Sequence, residues 1–134
     1  DTGIIIETPG FIPYYSGYRN LKVLAAINNH ISRKDIENAM YQVGLDPTMK
    51  KRVATYSLGM RQRLGIAQAI MEDPSLIILD EPFNGLDKHG VEEMREYFLS
   101  LKKKGKTILL TSHNTEDIEY LCDTVVEMDH GKFI

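Results

Sequence analysis

The sequence predicts an α/β protein, a parallel sheet with helices packed on it, joined to a separate helical lobe. Three observations carry that expectation. The second half alternates short aliphatic runs with amphipathic stretches, the pattern of right-handed βαβ crossovers. Those runs are continuously apolar rather than alternating, as suits parallel strands buried on both faces. The stretch from about Gly17 to Val53 has helical patterning and no strand candidate. A length of 134 residues is that of one ordinary domain.

Each element has its own signal. Ile4, Ile5 and Ile6 are β-branched and bounded by Gly3 and Thr8-Pro9, which predicts a buried strand. Pro9, Gly10, Pro13 and Gly17 mark a loop carrying Phe11, Tyr14, Tyr15 and Tyr18. Ser16 or Gly17 starts a helix over Leu21, Leu24 and Ala25. Ser32 followed by Asp35 resembles a capping pair for a helix whose apolar stripe is Ile36, Ala39, Met40 and Val43. Gly44 closes that helix as a left-handed cap. Beyond Asp46-Pro47 comes a polar stretch, then a helix from about Gly59 to Glu72 with Met60, Leu64, Ala67 and Met71 on one face. Leu76 to Leu79 is an aliphatic run of buried-strand length, stopped by Asp80-Glu81-Pro82. Val91, Met94, Phe98 and Leu101 define another amphipathic helix, ended by Gly105. Thr107 to Leu110 predicts a second buried strand. Asn114 caps a short helix through Ile118 and Leu121, and Thr124 to Met128 starts a third strand that turns at His130-Gly131.

Bulk properties exclude several classes. Hydrophobic residues make up 43% and charged residues 26%, ordinary values for a globular domain. A net charge of -3 offers no electrostatic reason to bind nucleic acid, and the basic run Lys102 to Lys104 is expected to solvate a helix end. Cys122 is the single cysteine, so no intrachain disulfide can form, which fits a reducing compartment. No apolar stretch approaches the roughly 18 residues that span a bilayer, and the chain opens on no basic-then-apolar leader. Any membrane role is therefore expected to come through a partner.

The chemistry concentrates in one string. Asp80 and Glu81 close an aliphatic strand, placing carboxylates at the carboxyl edge of a parallel sheet, where open α/β sheets bind ligands. Two adjacent acids on an extended backbone point to opposite sides, so one can hold a metal through water while the other activates a nucleophile. Upstream, Tyr56-Ser57-Leu58-Gly59-Met60 runs directly into a helix, and Ser57 with the amides near Gly59 makes a helix-start anion site. Taken alone, Ser57 is equally an ordinary N-cap. Asn84-Gly85-Leu86-Asp87 forms a turn after the acids, and His113 follows Thr111-Ser112 beyond the next strand. Each feature has a bland structural explanation; the four in this order, with short gaps, are hard to explain separately.

The string YSLGMRQRLGIAQAIMEDPSLIILDEPFNGLD followed by TSH resembles an ABC-type ATPase domain. The resemblance covers nearly the whole chain and implies a partial RecA-like P-loop NTPase core plus an α-helical subdomain. Residues 1–16 would be the Q-loop strand and its loop, 17–55 the helical subdomain, and 56–134 the rest of the core. Within that last part, Tyr56 to Met60 resembles the signature loop, Leu76 to Asp80 the Walker B strand and Asn84 to Asp87 the D-loop. By resemblance, Asp80 positions Mg²⁺ through water, Glu81 is the general base for the attacking water, and His113 contacts the γ-phosphate of ATP. Ser57, Leu58, Gly59 and Met60 would close over ATP held by a second, head-to-tail ATPase subunit, with Asp87 near that interface. The implied protein is the ATPase subunit of a transporter, cytoplasmic and held to the inner face of the membrane by a separate permease. The aromatic loop Phe11 to Tyr18 and the helical lobe would meet that permease.

Two positions depart from the family pattern. The signature reads Ser-Leu-Gly-Met where the commonest form is Ser-Gly-Gly-Gln, keeping the serine and second glycine. Glu7 stands where glutamine is usual; its carboxylate can still ligand Mg²⁺, but the amide donor is lost. These departures, with IETPGF and YSGYRNL, resemble bacterial exporters of the bacitracin and lantibiotic kind. The phosphate-binding GxxxxGK[ST] is missing from the sequence. Gly105-Lys106-Thr107 is a decoy: the residue five before Gly105 is Ser100, and the segment leaves a helix to enter a strand. The family's loop lies upstream of the Q-loop strand, so the chain is expected to be a truncated piece that binds ATP weakly alone. Three alternatives compete. A DNA-repair or chromosome-organising ABC ATPase would need coiled-coil heptads that are absent here, and a translation-factor ATPase would carry two cassettes. A non-catalytic regulator is argued against by Glu81 and His113.

Overall fold

Aliphatic strands with no polar interruption stack side by side, and here three of them form one parallel sheet. A computed structural model describes residues 2–5, 10–27, 30–112, 128–129 and 132–133. Strands β1 (Thr2–Ile5), β2 (Leu76–Asp80) and β3 (Thr107–Thr111) lie in the order β1-β2-β3. Thr2 pairs with Leu76, and Asp80 pairs with Thr111. The acid-terminated strand is thus central, and all three strands run toward the same edge.

The helices form where caps and apolar stripes place them. Helix α1 (Gly17–Ala25) is N-capped by Ser16, and α2 (Arg33–Gln42) by a complete capping box in which Ser32 and Asp35 exchange hydrogen bonds of 2.8 and 3.2 Å. Gly44, at φ +80°, ends α2: its N–H donates to the Tyr41 carbonyl and Leu45 N–H to the Met40 carbonyl, the Schellman pattern. A 3₁₀ turn at Val53–Thr55 leads into α3 (Leu58–Ile70), and α4 (Lys88–Lys103) follows β2. Gly105, at φ +88°, closes α4 with the same bond pattern, Gly105 N–H to Lys102 and Lys106 N–H to Leu101. The Gly-Lys-Thr segment is therefore a helix stop, and the Lys106 ammonium pairs with the Asp73 carboxylate at 2.7 Å.

Helix α3 packs on β1 and β2, with α2 against it and α1 against α2. Flanked on two sides, it buries every residue from Leu64 to Ala67, a wider apolar surface than one stripe. Met60, at its open end, stays half-buried. The core runs without a break through Leu21, Met40, Leu64, Ile77, Met94 and Phe98. Gly17 sits where α1, α2 and α3 meet: a Cβ there would lie 2.5 Å from the Tyr56 hydroxyl.

Several expectations need correction. The signature helix spans Leu58–Ile70, not about Gly59 to Glu72, because Ser57 caps it and Asp73, at φ +53°, lies past its end. Strand β3 is not buried: Thr107, Leu109 and Thr111 are exposed, since among the described residues β3 pairs only with β2. The reversal expected at His130-Gly131 is matched by an antiparallel pair on either side of it, β4 (Met128–Asp129) and β5 (Lys132–Phe133), which among the described residues pair with each other and not with the parallel sheet. Ile6, the helix expected after Asn114, the strand residues Thr124 to Glu127 and Cys122 lie outside the described residues. Among those described, no helix is long and apolar enough to cross a membrane.

Candidate active site

Asp80 is the last residue of β2, half-exposed at the carboxyl edge of the sheet. Parallel register sets Thr111 beside it, and the Thr111 hydroxyl donates to Asp80 Oδ1. The same hydroxyl oxygen accepts the Glu81 N–H at 3.0 Å, and the Thr111 carbonyl accepts it at 3.1 Å. One threonine thus orients the first acid's carboxylate and the second acid's backbone.

Glu81 overturns the expectation of two acids alternating on an extended strand. Its φ is +46°, in the left-handed region that costs most L-residues energy. Two local causes meet there. Pro82 removes the right-handed helical option for the residue before it, and Pro82 and Phe83 are buried, so the chain must turn inward at once. The Glu81 carbonyl accepts the Asn84 N–H at 3.1 Å within this turn and the Gln62 side-chain amide at 2.9 Å from α3. Glu81 therefore leaves the strand direction with both its peptide groups held.

The serine-led loop lies against the next turn. Ser57 is extended, with φ -66° and ψ 164°, and its Oγ accepts the Met60 N–H at 3.1 Å. The capping role is thus present, and it leaves the loop at the surface, with Leu58 59% exposed. A second turn closes from Phe83 to Leu86 with Gly85 at φ +81°. Gly85 has no room for a side chain, since a Cβ would stand 2.6 Å from Leu58 Cγ. Gly59 is equally tight, its Cβ position 2.9 Å from the Gly85 carbonyl. Asp87 caps α4, its Oδ1 accepting the Gly90 N–H at 2.7 Å.

Of the residues predicted from sequence, Ser57, Leu58, Gly59, Met60, Asp80 and Glu81 are joined by these contacts, and Asp87 follows the Phe83–Leu86 turn as the cap of α4. Glu7 and His113 lie outside the described residues. Among the described residues no three His, Cys, Asp or Glu side chains form a metal-ligand cluster. Three contributors escaped sequence reasoning. Gln62 and Thr111 sit inside quoted motifs, but nothing local announces bonds reaching 19 and 31 residues along the chain. Arg63 donates to the Val43 carbonyl at 2.7 Å and approaches Glu93 at 3.4 Å, its guanidinium lying between Gly44 and Gly90. It fastens the end of α2 to the start of α4.

A second surface lies at the other aromatic cluster. Tyr14 is 66% exposed and meets Tyr15 edge-on at 5.2 Å, with the Arg19 guanidinium 4.0 Å above the Tyr15 ring. Tyr15, Tyr18, Arg19 and Arg52 help line a cleft of about 360 Å³, whereas Phe11 packs on the core.

Known proteins resemble this chain in sequence and in fold. The ABC transporter ATP-binding protein YybJ of Bacillus subtilis (strain 168), described as uncharacterized, is 45% identical over 130 residues, which cover 97% of this chain and 60% of that protein. The bacitracin transport ATP-binding protein BcrA of Enterococcus faecalis is 45% identical over 133 residues, 98% of this chain and 43% of that protein. The chain thus spans about half the length of the curated relatives it matches. MJ0796, a bacterial ABC transporter cassette solved as a dimer, shares the fold with a TM-score of 0.78 at 20% identity, over 89% of this chain and 55% of that one. Residues 1–84, more than half of the sequence, match the ABC transporter family profile. The chain belongs to the ABC transporter family.

Proposed function

We propose that the chain contributes the signature loop, Walker B strand and D-loop of an ATP-hydrolysing subunit that drives transport through a separate membrane permease. One observation carries the reading: the Asp80–Glu81 pair closes the central parallel strand and is tied through Gln62 to the serine-led helix. Phosphoryl transfer asks a protein for positioning and charge compensation more than for covalent chemistry. A carboxylate at a sheet edge, a second one turned out of the strand and a glycine-tight helix start are parts suited to that task.

In this reading Glu81 takes the proton of the water that attacks the γ-phosphorus; the bond from that phosphorus to the bridging oxygen breaks, ADP departs and inorganic phosphate is formed. His113 contacts the γ-phosphate. Asp80 would hold Mg²⁺, and Glu7 is a further candidate ligand. A single hard carboxylate steadied by a hydroxyl suits an ion that takes most of its ligands from phosphate and water. When bound, Mg²⁺ offsets the negative charge of the phosphates. Ser57, Leu58, Gly59 and Met60 close over ATP held by a second, head-to-tail subunit, and Asp87 lies near that seam. Residues 17–55 serve as the helical subdomain, and the tyrosine cleft at its edge faces the permease. The location is the cytoplasmic side of the membrane, with no nucleic-acid partner. The likeness to a bacitracin transport protein supports peptide-antibiotic export as the task.

The test is Glu81→Gln in the full-length subunit. Turnover should fall by at least about 10²-fold, the usual contribution of a general base, while ATP binding is retained. Undiminished hydrolysis by that variant would falsify the catalytic reading.

A further inference from the structure

We propose that Gln62 is a positioning residue for Glu81, an inference that rests on the general-base reading given above. Glu81 holds a left-handed backbone at φ +46° without being glycine. Such a conformation persists only where its surroundings over-determine it. Its N–H is fixed by the Thr111 carbonyl and hydroxyl, both on the neighbouring strand. Its carbonyl is fixed by the Asn84 N–H, inside its own turn, and by the Gln62 amide at 2.9 Å. Of these partners of the Glu81 backbone, Gln62 is the one that comes from α3.

Position on α3 gives that bond its meaning. Gln62 lies five residues after the Ser57 cap, on the same rigid helix, and is half-buried. Gly59, one turn earlier, is pressed against the Gly85 carbonyl. The loop that would close over nucleotide and the peptide that aims the base are therefore parts of one body. Rotation of the Glu81 backbone out of its left-handed conformation would swing its Cβ and hence its carboxylate. Gln62 resists that rotation by holding the carbonyl oxygen, and it does so without touching substrate.

Two substitutions in the full-length subunit separate this role from general stability. Gln62→Met keeps the length and removes the donor. It should lower kcat about 10- to 100-fold, the scale of a misplacement near 1 Å, while KM for ATP changes by less than about threefold. Gln62→Glu places a carboxylate against the carbonyl at neutral pH but regains an O–H donor when protonated. The ratio of its kcat to that of the unmodified subunit should rise as pH falls from about 8 toward 5. A merely structural residue would leave that ratio flat. A kcat for Gln62→Met within about twofold of the unmodified subunit overturns the proposal; so does a flat Gln62→Glu ratio, which decides the matter if the methionine variant does not fold. Glu81→Gln, run alongside, keeps the two readings apart. If it is inactive while Gln62→Met turns over normally, only the positioning role fails. If it stays active, the base reading fails and this proposal falls with it.

Discussion

Tyr97 lies half-buried on α4, lining a cleft of about 260 Å³ between the ends of α2, α3 and α4. Burial, aided by the nearby Asp73 carboxylate, pushes its phenol up to about 12. In the unfolded chain the phenol titrates near 10. The raised folded value means that the unfolded state gives up its proton first. The stability linked to Tyr97 is thus complete below pH about 10 and is lost as pH rises through about 12. Urea unfolding at stepped pH should show that decline, and Tyr97→Phe should flatten it; an unchanged slope in the variant would contradict the assignment. At this scale the sequence was legible where chemistry demands a residue type. Asp80 and Glu81, which alone would pass for the polar end of a strand, stood out because a serine-led helix, a tight turn and His113 accompany them in one order with short gaps. Gln62 and Thr111 did not, because an amide holding a carbonyl and a hydroxyl shared between neighbours exist only once the chain has folded. The direction of Glu81 was misjudged for the same reason, since Pro82 and the buried Phe83 bend the strand end.

Helix ends were the most legible elements, because caps act over three or four residues. Ser16, Ser32 and Ser57 each cap the helix that their pattern announced, whereas the Asp87 cap of α4 came only with the structure. Gly44 and Gly105 permit a direct measurement. Both adopt left-handed φ, at +80° and +88°, but a Cβ at Gly44 would lie 2.7 Å from Arg63 Nη1, whereas one at Gly105 meets nothing within 4 Å. Gly105→Ala should therefore cost only the backbone term, about 1 kcal/mol. Gly44→Ala should cost about 1 kcal/mol more by displacing the arginine from the Val43 carbonyl. Equal losses from denaturant midpoints at constant slope would show that Arg63 moves freely. Burial was less legible than ends. The middle of α3 is covered on more than one side and β3 is exposed, and periodicity within either segment cannot say which neighbours arrive.

For the molecule as a whole, the 134-residue chain contains no GxxxxGK[ST] motif. That loop's amides and lysine supply most of the grip on phosphates. Calorimetry of this polypeptide with Mg-ATP should therefore show no micromolar, stoichiometric binding. The chain should also associate with itself. Leu109 on β3 is 55% exposed, and among the described residues that strand pairs with β2 alone. An unpaired apolar strand recruits another chain. Sedimentation at rising concentration should reveal oligomers that Leu109→Glu reduces, and a clean monomer throughout would contradict this. Strand order belongs to this scale too. Nothing in the individual runs says that the acid-terminated strand lies between the other two.

The sequence by itself determined the α/β class, most of the caps and turns, the carboxylate pair that closes β2 and the family resemblance. These depend on residue types and on spacings of a few positions, where local sterics and hydrogen bonding decide the outcome. Only the tertiary structure decided that β2 is central, that α3 is buried between its neighbours, and that Gln62, Thr111 and Arg63 reach the site. Those outcomes are contacts between distant segments, the three side-chain bonds alone spanning 19 to 31 residues, formed when packing brings such groups within hydrogen-bonding distance.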